Sequence, residues 1–311
     1  MSTMKGCCQT KAFAGAPCGT PVLIVILPLA LLCTLFLIIS SPNHFQFSFF
    51  SNCQPNEVSD ASLDNSEPDF RLLIGILTIP NNYKRRHLLR MVYDLQRPFP
   101  RAQVDVRFVF CNLTTDEQRE FIALEILAHN DIIILNCKEN MNDGKTYKYF
   151  SSLPQMFEGE DKPYDYVMKT DDDTYLHFHN FLESLRGKPK EDMYWGSGMP
   201  MLDQDFPPFM VGTGYILSWD LIEWIATSDI PRNDPAGPED IYTGMWLDKA
   251  GKGINRYNMG PRVYNFNGTE AKDFLPETIA VHSLKNDFMW ATTLKHFNAT
   301  ATIKPSILYH V

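Results

Sequence analysis

Tyr164-Asp165-Tyr166-Val167-Met168-Lys169-Thr170 runs directly into three aspartates, Asp171-Asp172-Asp173. The apolar run predicts a buried strand, and the acids put a pocket of negative charge at its end. Three like charges this close repel one another, so the arrangement calls for a cation among them. In open α/β sheets, ligands gather beyond the carboxyl ends of the strands. Hard divalent cations select carboxylate oxygens. The stretch therefore predicts a metal that holds an anionic ligand, such as a sugar-nucleotide diphosphate. The competing reading is a solvated acidic turn that caps a helix at 176–185.

Outward from this strand the pattern alternates. Residues 71–78 (RLLIGILT), 104–111 (VDVRFVFC) and 131–137 (DIIILNC) are apolar runs of strand length. Between and after them, residues 84–95, 116–129 and 145–157 have helical spacing. In the second of these helices Thr115 is the expected cap, and Phe121, Leu124, Ile126 and Leu127 fall near one face. Strands alternating with helices, and apolar on both sides, predict a parallel sheet covered on both faces. Beyond Met193 the order is less regular. Gly196, Gly198, Gly212 and Gly214 punctuate short strands, and helices are expected at 218–227 and 239–250. No GxGxxG or GxxxxGK[ST] follows the first strand, which removes the main support for dinucleotide and P-loop readings.

The 311-residue chain has 37 acidic and 28 basic residues, a formal net charge of -9. It has no long Lys/Arg run, which argues against a nucleic-acid partner. An apolar content of 44% and an aromatic content of 13% fit a folded body rather than a disordered one.

Pro21 to Ser40 is uncharged and long enough to span a bilayer as a helix. It exceeds the apolar core of a cleaved signal peptide and sits behind a twenty-residue head, so a retained anchor is expected. Lys5 and Lys11 precede it, whereas 41–69 has neither Lys nor Arg, which puts the amino terminus in the cytoplasm. Three sequons, Asn112-Leu-Thr114, Asn267-Gly-Thr269 and Asn298-Ala-Thr300, all fall on the opposite side. The expected layout is a tail at 1–20, an anchor at 21–40, a stem rich in Ser, Asn, Asp and Pro at 41–69, and a folded body at 70–311. Of seven cysteines, only Cys53, Cys111 and Cys137 face the oxidising side. Cys111 and Cys137 each end an expected strand, and either a bridge or two buried thiols fits that placement.

Four segments, in order, resemble the inverting beta-1,3-glycosyltransferase family of galactosyl-, N-acetylglucosaminyl- and fringe-type enzymes. Arg85-Arg86-His87-Leu88-Leu89-Arg90-Met91-Val92-Tyr93 is similar to its RRxxIRxTW stretch, and Lys169-Thr170-Asp171-Asp172-Asp173 to KxDDD. Phe206 to Ser218 resembles YPxYxxGxGYxxS, and Glu239-Asp240-Ile241-Tyr242-Thr243-Gly244 resembles EDVYxG. They are spread in family order along the body at 70–311, from Arg85 to Gly244.

The resemblance implies a GT-A-like α/β fold and a Golgi type II membrane protein with a lumenal catalytic domain. It also implies a UDP-sugar donor held through Mn²⁺. By resemblance, Asp171, Asp173 and His282 hold the metal. Arg86, Arg90, Asp171, Asp172 and Lys285 face the nucleotide. Asp240, with Glu239 beside it, takes the proton from an acceptor hydroxyl; read alone, these two acids suit the first turn of a helix. The expected activity is transfer of a hexose, galactose before N-acetylglucosamine, to a glycan or glycoprotein in beta-1,3 linkage. Trp195, Phe209, Tyr215 and Trp246 are candidates for stacking on sugar faces, with core packing as the alternative. Two rivals remain in view: a catalytically silent anchored glycan-binding protein, and a metal-dependent phosphohydrolase.

Overall fold

A computed structural model of the chain describes residues 67–160, 162–199, 207–266 and 274–299. The tail, the apolar segment and nearly all of the stem expected at 1–69 lie outside the described residues. So do the sequon at Asn267 and Thr300 of the sequon at Asn298. No helix among the described residues is long and apolar enough to cross a membrane.

The strand β1 (Phe70–Leu77) has no polar face because it lies inside the sheet, parallel to both β2 (Ala102–Phe110) and β4 (Tyr166–Asp171). With β3 (Ile132–Ile134), β6 (Met193–Met199), β7 (Phe209–Ser218) and β8 (Asn255–Asn258), they form a seven-stranded sheet ordered β3-β2-β1-β4-β7-β6-β8. The four strands of the expected alternation, β3-β2-β1-β4, pair in parallel as expected, and the sheet as a whole is mixed because β7 runs antiparallel to β4 and to β6. Both antiparallel pairs involve β7, which follows β6 after only nine residues, too few for the crossover that parallel pairing needs. A second sheet, β5 (Tyr175–Leu176), β10 (Ala280–His282) and β9 (Val263–Asn265), lies beyond the end of β4.

Apolar side chains fill both faces of the large sheet. One cluster packs Tyr166 and Met168 of β4 against α1 (Tyr83–Asp94), α4 (Phe178–Leu185) and α8 (Asp287–His296). The other packs Val167 against α3 (Thr146–Met156), α5 (Trp219–Thr227) and α7 (Glu239–Ala250), the short helix α6 (Asp229–Asn233) lying between the last two along the chain. Alternation along the strand assigns Lys169 to this second face, with Val167.

The helix α2 (Asp116–His129) begins at Thr115 as expected. The Thr115 side chain accepts from Gln118 N, and the Gln118 side chain returns the bond in a capping box. Its buried face differs from the expected one. Ile122 is its only buried residue, while Phe121, Leu124 and Leu127 are exposed. Cys111 and Cys137 are joined in a disulfide, which settles the two readings left open by their placement.

Candidate active site

The site is built where β1 and β4 end side by side, with Leu77 opposite Asp171 in register. Lys169 comes first because its burial is complete: none of its side chain is exposed. Its ammonium lies 3.0 Å from Asp171 Oδ1, 2.5 Å from Glu239 Oε1 and 3.6 Å from Asp240 Oδ1. Burial works against the charge, yet Asp171, Glu239 and Asp240 outweigh it and hold the ammonium well above the usual lysine range.

The three aspartates diverge. Asp172 turns toward the β1–α1 loop, where its Oδ2 accepts from Thr78 Oγ1 at 2.5 Å and Asn82 Nδ2 at 2.7 Å. Burial pushes its pKa up. Asp173 ion-pairs with Lys285 and lies 3.2 Å, through Oδ1, from His282 Nε2. Burial alone would raise Asp173, but His282 and Lys285 hold it down at about 2. Asp171 Oδ2 is 3.6 Å from the same imidazole nitrogen. Burial likewise lowers the tendency of His282 to charge, and the carboxylates of Asp171 and Asp173 overcome it, raising His282 to about 9.

One ligand atom from each of Asp171, Asp173 and His282 lies within 4.8 Å of the other two. Asp173 Oδ1 is buried and makes no hydrogen bond; His282 Nε2, 3.2 Å away, meets it as an ion-pair partner only. Two carboxylates and one imidazole, with an unsatisfied buried oxygen among them, fit a divalent cation.

The acids of α7 face the same place. Glu239 is fixed on both oxygens, by Lys169 and by Thr146 Oγ1 at 2.8 Å. Asp240 is held less: its Oδ1 is buried without a hydrogen bond. Burial raises its pKa, Lys169 opposes this and Glu239 reinforces it, leaving Asp240 at about 8. Gly212 makes room for this carboxylate, since a Cβ there would fall 2.6 Å from Asp240 Oδ2.

A cavity of about 580 Å³ opens over these groups. It is lined by Asp171, Asp172, Asp173, Glu239, Asp240 and Lys285, and by Thr78, Ile79 and Asn82 of the β1–α1 loop. Two further residues on its wall, Lys145 and Glu139, escaped the sequence reading. Lys145 is buried, donates to Thr78 O at 2.5 Å and ion-pairs with Glu139, which accepts from Cys111 N at 2.7 Å. Burial lowers the pKa of Lys145 and Glu139 opposes that.

Arg86 and Arg90 do not line the cavity, in contrast to their expected place beside the nucleotide. Arg86 is fully buried; it donates to the carbonyls of Ile79 and Pro80 and pairs with Glu125 at 2.6 Å. Arg90 pairs with Glu125 and Asp131, both at 2.7 Å. The face of α1 that carries them packs on α2, and Arg85 turns the other way to donate to Leu284 O at 2.9 Å. Trp195, Tyr215 and Trp246 are buried, whereas Phe209 lines the cavity.

Residues 84–202 match the sequence model of the galactosyltransferase family. The chain is similar to a UDP-GalNAc:beta-1,3-N-acetylgalactosaminyltransferase 2 of Xenopus tropicalis, 28% identical over 104 residues, 28% of this chain and 21% of the frog protein. It is also similar to the beta-1,3-galactosyltransferase pvg3 of Schizosaccharomyces pombe, 26% identical over 292 residues, 75% of this chain and 76% of the yeast protein. The mouse beta-1,3-galactosyltransferase 6 is 27% identical over 150 residues, 42% of this chain and 45% of the mouse protein. The chain thus spans less than half the length of two of these three relatives.

Proposed function

We propose that this chain, a member of the beta-1,3-glycosyltransferase family, is an inverting, Mn²⁺-dependent transferase on a GT-A-like fold. It moves a hexose, with galactose favoured over N-acetylglucosamine, from a UDP-sugar to a glycan or glycoprotein hydroxyl in beta-1,3 linkage. The observation that carries the reading is the meeting of two different acid sets on one cavity. Asp171 and Asp173 stand with His282, and Asp240 stands apart with a buried oxygen that makes no hydrogen bond.

The division of labour follows from the environments. Asp240 Oδ1 accepts the proton of the acceptor hydroxyl as that oxygen forms its bond to the anomeric carbon. On the opposite face the bond from that carbon to the diphosphate oxygen breaks, and its electron pair leaves with UDP. Attack from behind turns an alpha-linked donor into a beta product. A positioned base of this kind contributes about 10²–10⁴-fold. Glu239, held by Lys169 and Thr146, anchors the helix turn that presents Asp240. Asp171, Asp173 and His282 would hold a divalent cation, which would supply Lewis-acid stabilisation of the leaving diphosphate.

The protein acts in the Golgi lumen, anchored as a single-pass type II protein through residues 21–40. The uncharged run at 21–40 and the Cys111–Cys137 disulfide, a bond of oxidising compartments, support this.

The test is the full-length chain in detergent, given a panel of UDP-hexoses and an acceptor array, with Mn²⁺ or with chelator. One UDP-hexose should yield UDP and a beta-linked product only with metal. Binding to the array without consumption of any donor points to the silent glycan-binding reading, and phosphate release without a glycoside points to the phosphohydrolase.

A further inference from the structure

We propose that Asn265 is a positioning residue that aims His282 at the cation, an inference that rests on the metal-site reading above. His282 reaches the aspartates from the short strand β10, which pairs in parallel with β9, and the register sets His282 directly against Asn265. The backbone on both sides is fixed. Phe266 N donates to His282 O at 2.7 Å, and Leu284 N donates to Asp173 O at 3.0 Å across the turn at Ser283, where φ is 63°. With the main chain held, the freedom left to His282 is rotation of its ring.

The Asn265 side chain restricts that rotation. Its Oδ1 lies 2.7 Å from His282 Nδ1. An amide oxygen only accepts, so Nδ1 carries the hydrogen of this bond. In the neutral ring the lone pair then belongs to Nε2, the nitrogen facing Asp173 Oδ1 at 3.2 Å and Asp171 Oδ2 at 3.6 Å. Ser283 Oγ, the other neighbour of Nδ1, is 3.4 Å away and makes the weaker contact. Partners that fix the tautomer and direction of a ligating imidazole typically change metal affinity about 10- to 100-fold.

The experiment measures Mn²⁺ uptake by the full-length chain directly, from the paramagnetic resonance of the free ion, with no sugar substrate present. Asn265→Leu is expected to weaken Mn²⁺ binding about 10- to 100-fold, while Asn265→Asp, which accepts the same hydrogen, stays close to the native chain. In a His282→Ala background, Asn265→Leu should change nothing further, because a residue that acts through the imidazole has no effect once it is gone. Equal binding by the native chain and Asn265→Leu would overturn this inference alone. So would an equal loss from Asn265→Leu with and without His282, which marks a purely structural role. Absence of Mn²⁺ uptake by the native chain would overturn it together with the metal-dependent reading.

Discussion

The ammonium of Lys169 sits 2.5 Å from Glu239 Oε1, joining the middle of β4 to the first turn of α7. The same nitrogen reaches Asp171, so one buried cation sets a carboxylate of the proposed metal site against the helix that carries the proposed base. Isolated, such a charge would cost several kcal/mol to bury; here three carboxylates surround it. Removal of one partner from a buried ionic group typically costs about 3–5 kcal/mol, because the remaining charges are stranded. Lys169→Met should therefore destabilise the fold by about that much in denaturant titration. A loss below about 1 kcal/mol, the worth of an exposed pair, would mean that the carboxylates do not depend on this ammonium.

Asp240 gives a pH dependence whose sign is fixed by its environment. Burial raises its carboxyl to about 8, so below that pH the base form is scarce. Transfer with saturating metal should climb as pH rises through 7 to 8, then level off. Asp240→Asn should lower kcat by about 10²–10⁴-fold and leave UDP binding intact. Lys169 opposes the rise, so in Lys169→Met the climb should move to higher pH. Rate profiles of the native chain and both variants check all three expectations, and near-native turnover by Asp240→Asn would remove it from the role of base.

Gly212 tests how closely the proposed base, Asp240, must be placed. A methyl group there would fall 2.6 Å from Asp240 Oδ2, closer than a Cβ can sit, so the carboxylate must shift. Displacement of a catalytic group by about 1 Å can cost about 10²-fold. Gly212→Ala should lower kcat on that scale with little change in KM for the donor. A change in donor KM alone would place Gly212 at the nucleotide instead.

The strand endings and the acid cluster were legible in the sequence because each is local. An apolar run that stops at Asp171-Asp172-Asp173 reads the same way before and after folding. The capping box at Thr115 is local too. Partners distant in the chain were not legible. Arg86 and Arg90 occupy motif positions, yet their guanidiniums meet Glu125 and Asp131, and the one-residue neighbour Arg85 takes the side facing Leu284. For α2, the choice between Ile122 and the Phe121–Leu124–Leu127 face depended on which side of the helix meets the rest of the body, which spacing does not encode. Lys169 did leave a signal: a lysine inside a run that must be buried requires carboxylates from elsewhere.

The Cys111–Cys137 disulfide connects stability to the cavity. It closes a loop of sequence separation 26 and fixes the segment after β3, from which Glu139 reaches back to Cys111 N and to Lys145. A bridge over a loop of this length stabilises by about 2–4 kcal/mol, chiefly by restricting the unfolded chain. Cys137→Ser should therefore lower unfolding free energy by about that amount, provided that Cys111 stays reduced. Lys145 lines the cavity beside Asp172, so looser placement of Glu139 should also weaken UDP binding, which calorimetry at fixed Mn²⁺ measures. If stability falls while UDP affinity holds, the bridge serves the fold alone and Lys145 keeps its place through Thr78 O.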